Sequence, residues 1–235
     1  MNDMMNQTYS QTSAYGESLG RYTAKTFGWM FAGLLFTFAI SVALSVSGGI
    51  LYLLYIPALP YILLIAELGV VFYLSARIEK MSVGTARAMF FVYAALNGVV
   101  FSVYFLIFHV TVLMGVFFIT ALFFGIMALI GYFGNINFGS IRPFMMGGLI
   151  FLCGFWILSL FINLSQFETM VCTVGIFLFL LFTAYDTKKI QAYYAHFGSV
   201  PEMAAKASIF SALQLYLDFI NLFLYILRFA GNKRN

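Results

Sequence analysis

Charge is what this sequence has least of. Only 9 % of its 235 residues are Asp, Glu, Lys or Arg, while 63 % are hydrophobic. A soluble domain carries about 25 % charged residues. So few charges cannot cover a water-facing surface, and lipid must be the solvent for most of it. Cysteine is nearly absent: Cys153 and Cys172 both fall inside apolar runs and read as small buried hydrophobes rather than a disulfide. With two Cys and only His109 and His196, no four-ligand His/Cys metal site can be built at these spacings. There is no Walker-type loop for nucleotide and no basic stripe for nucleic acid. Met1–Gly20 lacks the basic start and short apolar core of a cleaved signal peptide.

What is present is a series of continuous apolar runs of about twenty residues, helix length for a hydrocarbon core of about 30 Å. A transmembrane barrel would alternate apolar and polar residues instead. Seven runs can be drawn, at Thr26–Val46, Ile56–Ala76, Met89–Phe108, Val112–Phe133, Phe144–Ile162, Met170–Tyr185 and Ile209–Ala230. The expected fold is an all-α, seven-helix membrane bundle, residues 23–231, between a flexible N-terminal tail (1–22) and a short C-terminal tail (232–235). The longest linker is Thr187–Ser208. Ala94/Gly98 and Ala121/Gly125 are small-residue pairs that suit close helix contacts.

Basic residues fall in alternate linkers: Arg21 and Lys25 before the first span, Arg77, Lys80 and Arg87 after the second, Arg142 after the fourth, and Lys188, Lys189 and Lys206 after the sixth. The positive-inside rule then places the N-terminus and these linkers in the cytoplasm. Seven spans put Lys233 and Arg234 on the far side, against the rule. Six spans with a re-entrant last segment is the alternative.

Ionisable groups inside a span cost about 2.5 kcal/mol or more at its centre, so each needs a reason. Glu67 lies midway along the second span, Arg77 ends it, Asp186 ends the sixth and Asp218 lies within the seventh. In that last span Ser211, Gln214, Asp218, Asn221, Tyr225 and Arg228 recur at spacings of three and four, which puts them on one helix face. Such a stripe must face other helices or water, as a hydrogen-bonded seam or as the wall of a polar path. Asn97, in the third span, is either a partner for these groups or a satisfied core amide. Asp186 is open to a plain reading as an interfacial acid beside Lys188 and Lys189. His109, Trp29 and Trp156 read as interface or packing residues.

The run Leu181-Phe-Thr-Ala-Tyr-Asp-Thr-Lys-Lys-Ile-Gln191 resembles the end of span six in the Bax inhibitor family. Ala212–Phe229, with Tyr-Leu-Asp-Phe-Ile-Asn-Leu-Phe at its centre, resembles that family's last span. Thr26-Phe-Gly-Trp-Met-Phe-Ala-Gly-Leu and the Glu67…Arg77 span are also similar, so the likeness runs from about Ala24 to Gly231. It implies seven helices with the last surrounded by the other six, and passive calcium leakage that depends on pH. By motif, it implies an aspartate pair at Asp186 and Asp218 as proton sensor, an arginine at Arg77 that engages the pair, and the span-two glutamate at Glu67. The stretch Gly131–Gly139 departs from the family by lacking a charged Thr-Lys-x-Asp-Leu run.

Two carboxylates held close cannot both ionise cheaply, so such a pair shares a proton and its state biases helix packing. The expected function is a pH-sensitive passive leak for calcium or other cations in the inner membrane. Asp186, Asp218 and Arg77 would form the gate, and Glu67, Asn97, Ser211, Gln214 and Asn221 would line the path. Asp186 and Asp218 are also the candidate calcium ligands, since calcium prefers oxygen donors. Calcium is cargo here; no cofactor and no catalytic residue are expected. The alternative is a membrane interaction protein that restrains a membrane protease or a stress-response partner. Intramembrane aspartyl proteases also pair two aspartates, but they carry Gly-x-Gly-Asp on the later helix, where this chain has Tyr216-Leu-Asp218. Their Pro-Ala-Leu motif falls here at Pro57–Leu59, ahead of the aspartates.

Overall fold

The computed structural model describes residues 17–135 and 138–232. The expected tails, and the centre of the Gly131–Gly139 departure at Ile136 and Asn137, therefore lie largely outside the described residues. Helix α1 (Leu19–Val46) starts where the Ser18 hydroxyl accepts the Arg21 N–H at 3.3 Å. Beyond it, the short α2 (Gly49–Leu54) occupies what the sequence suggested was a plain linker. Then come α3 (Leu59–Arg77), with Pro60 in its first turn, and α4 (Val83–Ile107), capped by Ser82 on the Thr85 N–H. Helices α5 (Val110–Phe133), α6 (Phe138–Ser159), α7 (Glu168–Phe197) and α8 (Pro201–Asn232) complete the chain. Among the described residues, seven helices are long and apolar enough to cross a membrane.

The exposed side chains support a lipid setting. Phe31, Phe72, Phe118, Phe144 and Phe177 all point outward, an arrangement that only a hydrocarbon solvent tolerates. Cys153 is exposed in the same way, contrary to the expectation that it is buried; only Cys172 is, and both are free thiols. An apolar run suits a lipid-facing site as well as a core site, so hydropathy could not separate the two.

The stretch Thr187–Ser208, expected to be the longest linker, is helical except at Gly198–Val200. At 1.5 Å per residue, the 30 residues of α7 and the 32 of α8 extend about 45 and 48 Å, beyond a core of about 30 Å. Hydropathy marks where lipid ends, whereas the helix continues as long as its polar side chains find partners. Lys206 finds them: it is 5 % exposed, bridges Glu202 at 2.9 Å and donates to the Glu79 carbonyl at 3.3 Å.

The described chain forms two compact units. One holds the residues up to Val110 with Lys189–Tyr216; the other holds Thr111–Lys188 with Leu217 onward. In the first, α1 and α4 share a hydroxyl ladder. Thr37 donates to the Ala94 carbonyl at 2.9 Å, Ser41 to Gly98 at 2.9 Å and Ser45 to Ser102 at 3.4 Å. The offset is 57 residues at each rung, so the two helices run parallel. Gly98 permits the approach, because a Cβ there would sit 2.8 Å from that of Ile40. Tyr216, fully buried, joins at 2.6 Å from the Thr37 hydroxyl. Since Thr37 donates to Ala94, Tyr216 is the donor to Thr37. The Ala94/Gly98 pair thus marks a real helix contact. Ala121 is exposed and Gly125 has open space beside it, so the second small-residue pair does not.

The ladder predicts a graded response. Ser41→Ala should lower stability by about 0.6 kcal/mol, the average for interhelical hydrogen bonds in membranes. Gly98→Val should cost about 1–3 kcal/mol through overlap with Ile40. Reversible unfolding in detergent reads both, and equal effects would contradict the close approach at Gly98.

Candidate functional site

The last helix is the most enclosed: 67 % of its most apolar stretch is buried, against 39 % for α7 and 11 % for α3 and α6. This fits an inner position for the polar stripe. The stripe is not uniform, however. Ser211, Asp218 and Tyr225, seven residues apart, are buried, whereas Gln214, Asn221 and Arg228 are half-buried. Residues three apart are turned by about 60° around a helix of 3.6 residues per turn, so one stripe presents two adjoining faces.

Both candidate sensor acids belong to the second unit and both are buried: Asp186 is 7 % and Asp218 is 4 % exposed. Helix α5 braces the two helices that carry them. Gly131 of α5 lies so close to the Ala184 backbone of α7 that a Cβ would overlap it. Four residues on, Lys188 donates to the Gly134 carbonyl at 3.1 Å, a cation placed at the negative end of α5. Asp186 sits between these two attachments. On the same helix, the Thr183 and Thr187 hydroxyls donate to carbonyls one turn back, at 2.8 and 2.7 Å. Beside Asp218, Phe219 packs its ring on Phe117 and Phe124 of α5, with centroids 5.3 and 5.4 Å apart.

The far end of the stripe is a structural seam. The Trp156 indole donates to the Tyr225 hydroxyl at 3.0 Å, and the Arg228 guanidinium lies 4.0 Å from the centre of the same indole. Gly175 makes room for Tyr225, since a Cβ would meet its ring at 2.6 Å. The Asn221 amide donates to the Leu217 carbonyl at 2.8 Å, one turn back.

The remaining candidates lie in the first unit. Lys189 donates to Gln214 Oε1 at 3.4 Å. Asn97 is 5 % exposed and its amide donates to the Tyr93 carbonyl at 3.2 Å. Ser211 Oγ and Glu67 Oε1 are buried without a hydrogen-bond partner among the described residues. Arg77 ends α3 and is exposed. Among the described residues, no group of three or more His, Cys, Asp or Glu converges as a metal site. Lys206 and Tyr216 are further anchors. The Glu202–Lys206 spacing of four was a legible signal for the first, but nothing in the sequence pointed Tyr216 to Thr37.

Seven apolar helices and an enclosed last helix define a polytopic helical membrane protein. The chain belongs to the Bax inhibitor family: the family model described as "Inhibitor of apoptosis-promoting Bax1" matches residues 19–235. It is 35 % identical over 228 residues to the uncharacterized protein RP147 of Rickettsia prowazekii, covering 97 % of this chain and 96 % of that one. It is likewise 35 % identical over 226 residues to the inner membrane protein YbhL of Escherichia coli K12, covering 92 % and 93 %. An uncharacterized protein of Deinococcus radiodurans is 33 % identical over 214 residues, 91 % of each chain.

Proposed function

We propose that this protein is a passive, pH-sensitive leak for calcium or related cations in a bacterial inner membrane, with its N-terminus in the cytoplasm. Asp186 and Asp218 are its proton sensor. The observation that carries the proposal is the burial of these two acids, 7 % and 4 % exposed, in one compact unit. Burying a carboxylate in a membrane protein is costly, and such groups mark ion paths and proton relays. Helix α5 supports both Asp-bearing helices, so a change in their protonation acts on one packed core. Glu67, Asn97, Ser211, Gln214 and Asn221 supply the further oxygen groups proposed to line the path, and Arg77 enters through the family motif. The inner-membrane location rests on the name of the Escherichia coli relative. The cytoplasmic N-terminus rests on the placement of Lys and Arg.

The test is calcium influx into liposomes holding the purified protein, from pH 5 to pH 8. Influx above that of empty liposomes, varying with pH, is the expected result. A channel needs no partner to pass ions, so influx equal to that of empty liposomes at every pH overturns the leak and leaves the interaction-protein alternative.

A further inference from the structure

The connection between the first two spans has the surface of a lipid-seated segment rather than of a loop in water. No charged residue lies between Lys25 and Glu67, whereas the linker at the other end of α3 carries Arg77, Glu79 and Lys80. Gly48, in the left-handed region at φ 69°, turns the chain out of α1, and α2 follows at once. Helix α2 packs on α1 and α4 and buries one side chain, Ile50, which is 1 % exposed. The rest of its surface is open and apolar. Leu51 and Leu54 are exposed, and Tyr52 and Tyr55 are 77 % and 83 % exposed.

The backbone of this connection is largely satisfied from within. The N–H groups of Gly48, Leu51, Tyr55, Ile56 and Leu59 each donate to the carbonyl three residues back, at 3.0–3.3 Å. Gly49 donates to the Ser47 hydroxyl at 3.3 Å. Pro57 and Pro60 have no N–H to satisfy. A linker bathed in water has no need of this, because water would complete its hydrogen bonds; a segment lying where water is scarce does.

Helix lengths set the depth. At 1.5 Å per residue, Lys25 to Val46 spans about 32 Å of α1, and Arg77 back to Leu59 spans about 27 Å of α3. The hydrocarbon core is about 30 Å thick, so α2 joins the two helices where each reaches the far edge of that core. Tyrosine gathers at this level, with its ring against the acyl chains and its hydroxyl among the headgroups. The open face of α2 also continues into the lipid-facing surface of α3 through Tyr61, Ile62 and Ile65.

We infer that α2 is an in-plane anchor, seated on phospholipid at the boundary between acyl chains and headgroups of the outer leaflet. The choice of leaflet rests on the cytoplasmic N-terminus proposed above; the seating does not. The anchor fixes the outer end of α3, the shortest of the seven spans and the one that carries Glu67 and Arg77.

The test is site-directed spin labelling of the full chain in liposomes of phosphatidylethanolamine and phosphatidylglycerol. Cys153 is replaced by Ser, while Cys172 is fully buried and stays. Single nitroxides are placed at Tyr52→Cys and Tyr55→Cys. Leu68→Cys, midway along the lipid face of α3, is the core reference, and Lys80→Cys, exposed in the charged linker, is the aqueous reference. Collision rates are measured with oxygen, which concentrates among acyl chains, and with a neutral nickel chelate, which concentrates in water. Both α2 labels should show an oxygen-to-nickel ratio shifted clearly above that of Lys80→Cys and below that of Leu68→Cys. Both sites are exposed, so if one variant fails to fold the other decides. A ratio equal to either reference overturns the seating. Slow collision with both reagents means that protein, in a purified sample a second copy of this chain, covers α2, and overturns its lipid occupant. None of these readings depends on ion flux, so a failed anchor and a failed leak are told apart.

Discussion

The Asp186→Asn, Asp218→Asn double variant is expected to pass calcium at a rate that no longer follows pH. Asparagine has the shape of a protonated aspartate and cannot ionise. The variant therefore stays in the state that the parent reaches at low pH, and its influx at every pH should equal the parent's acid limit. This comparison fixes the sign whichever direction the parent responds in. The size follows from linkage: a group whose proton affinity differs by one pK unit between two packings shifts their ratio by about tenfold, or 1.36 kcal/mol. The parent should thus vary by about tenfold between pH 5 and pH 8, and the double variant by less than about twofold. Arg77→Gln should keep a pH response but displace its midpoint. A double variant that folds and still follows pH would remove the two aspartates from the sensor.

The second large effect is expected at Gly131. A side chain there meets the Ala184 backbone, which cannot rotate away as a side chain can. Gly131→Leu must push α5 and α7 apart, two residues from Asp186, and should cost at least the 1–3 kcal/mol typical of overpacking. Gly115 is the control, because nothing lies near its missing Cβ; Gly115→Leu should leave thermal unfolding in detergent nearly unchanged. The Gly131 variant should also lose flux regulation before it loses its helices, which circular dichroism and the liposome assay together would show. Equal unfolding temperatures for the two variants would mean that α5 and α7 are not in backbone contact.

Much of the fold was legible in the sequence. Each lipid-spanning helix needs about twenty apolar residues regardless of its neighbours, so the runs at Val112–Phe133 and Thr26–Val46 correspond closely to α5 and the body of α1. The polar stripe was legible for the same reason, since its spacing is a property of one helix. Its division into a buried line at Ser211, Asp218 and Tyr225 and a half-buried line at Gln214, Asn221 and Arg228 was not. That depends on which neighbours cover each edge. The role of Tyr225 and Arg228 as partners of Trp156 was hidden for the same reason: the residues lie in different helices, and an indole in an apolar run carries no mark of its partner.

By itself the sequence determined the membrane setting, the seven apolar runs and the family. These follow from apolar length, charge scarcity and local motifs, all of which act along one helix at a time. Only the tertiary structure decided that α7 and α8 continue as helices through the polar stretch after Tyr185. It alone revealed Lys206 buried against Glu202 and Glu79, and Tyr216 locked on the α1–α4 ladder. Hydropathy measures a residue's transfer to lipid. The burial of a lysine or the continuation of a helix beyond lipid is set by hydrogen-bond partners brought from distant parts of the chain, and those partners are defined only once the helices have packed.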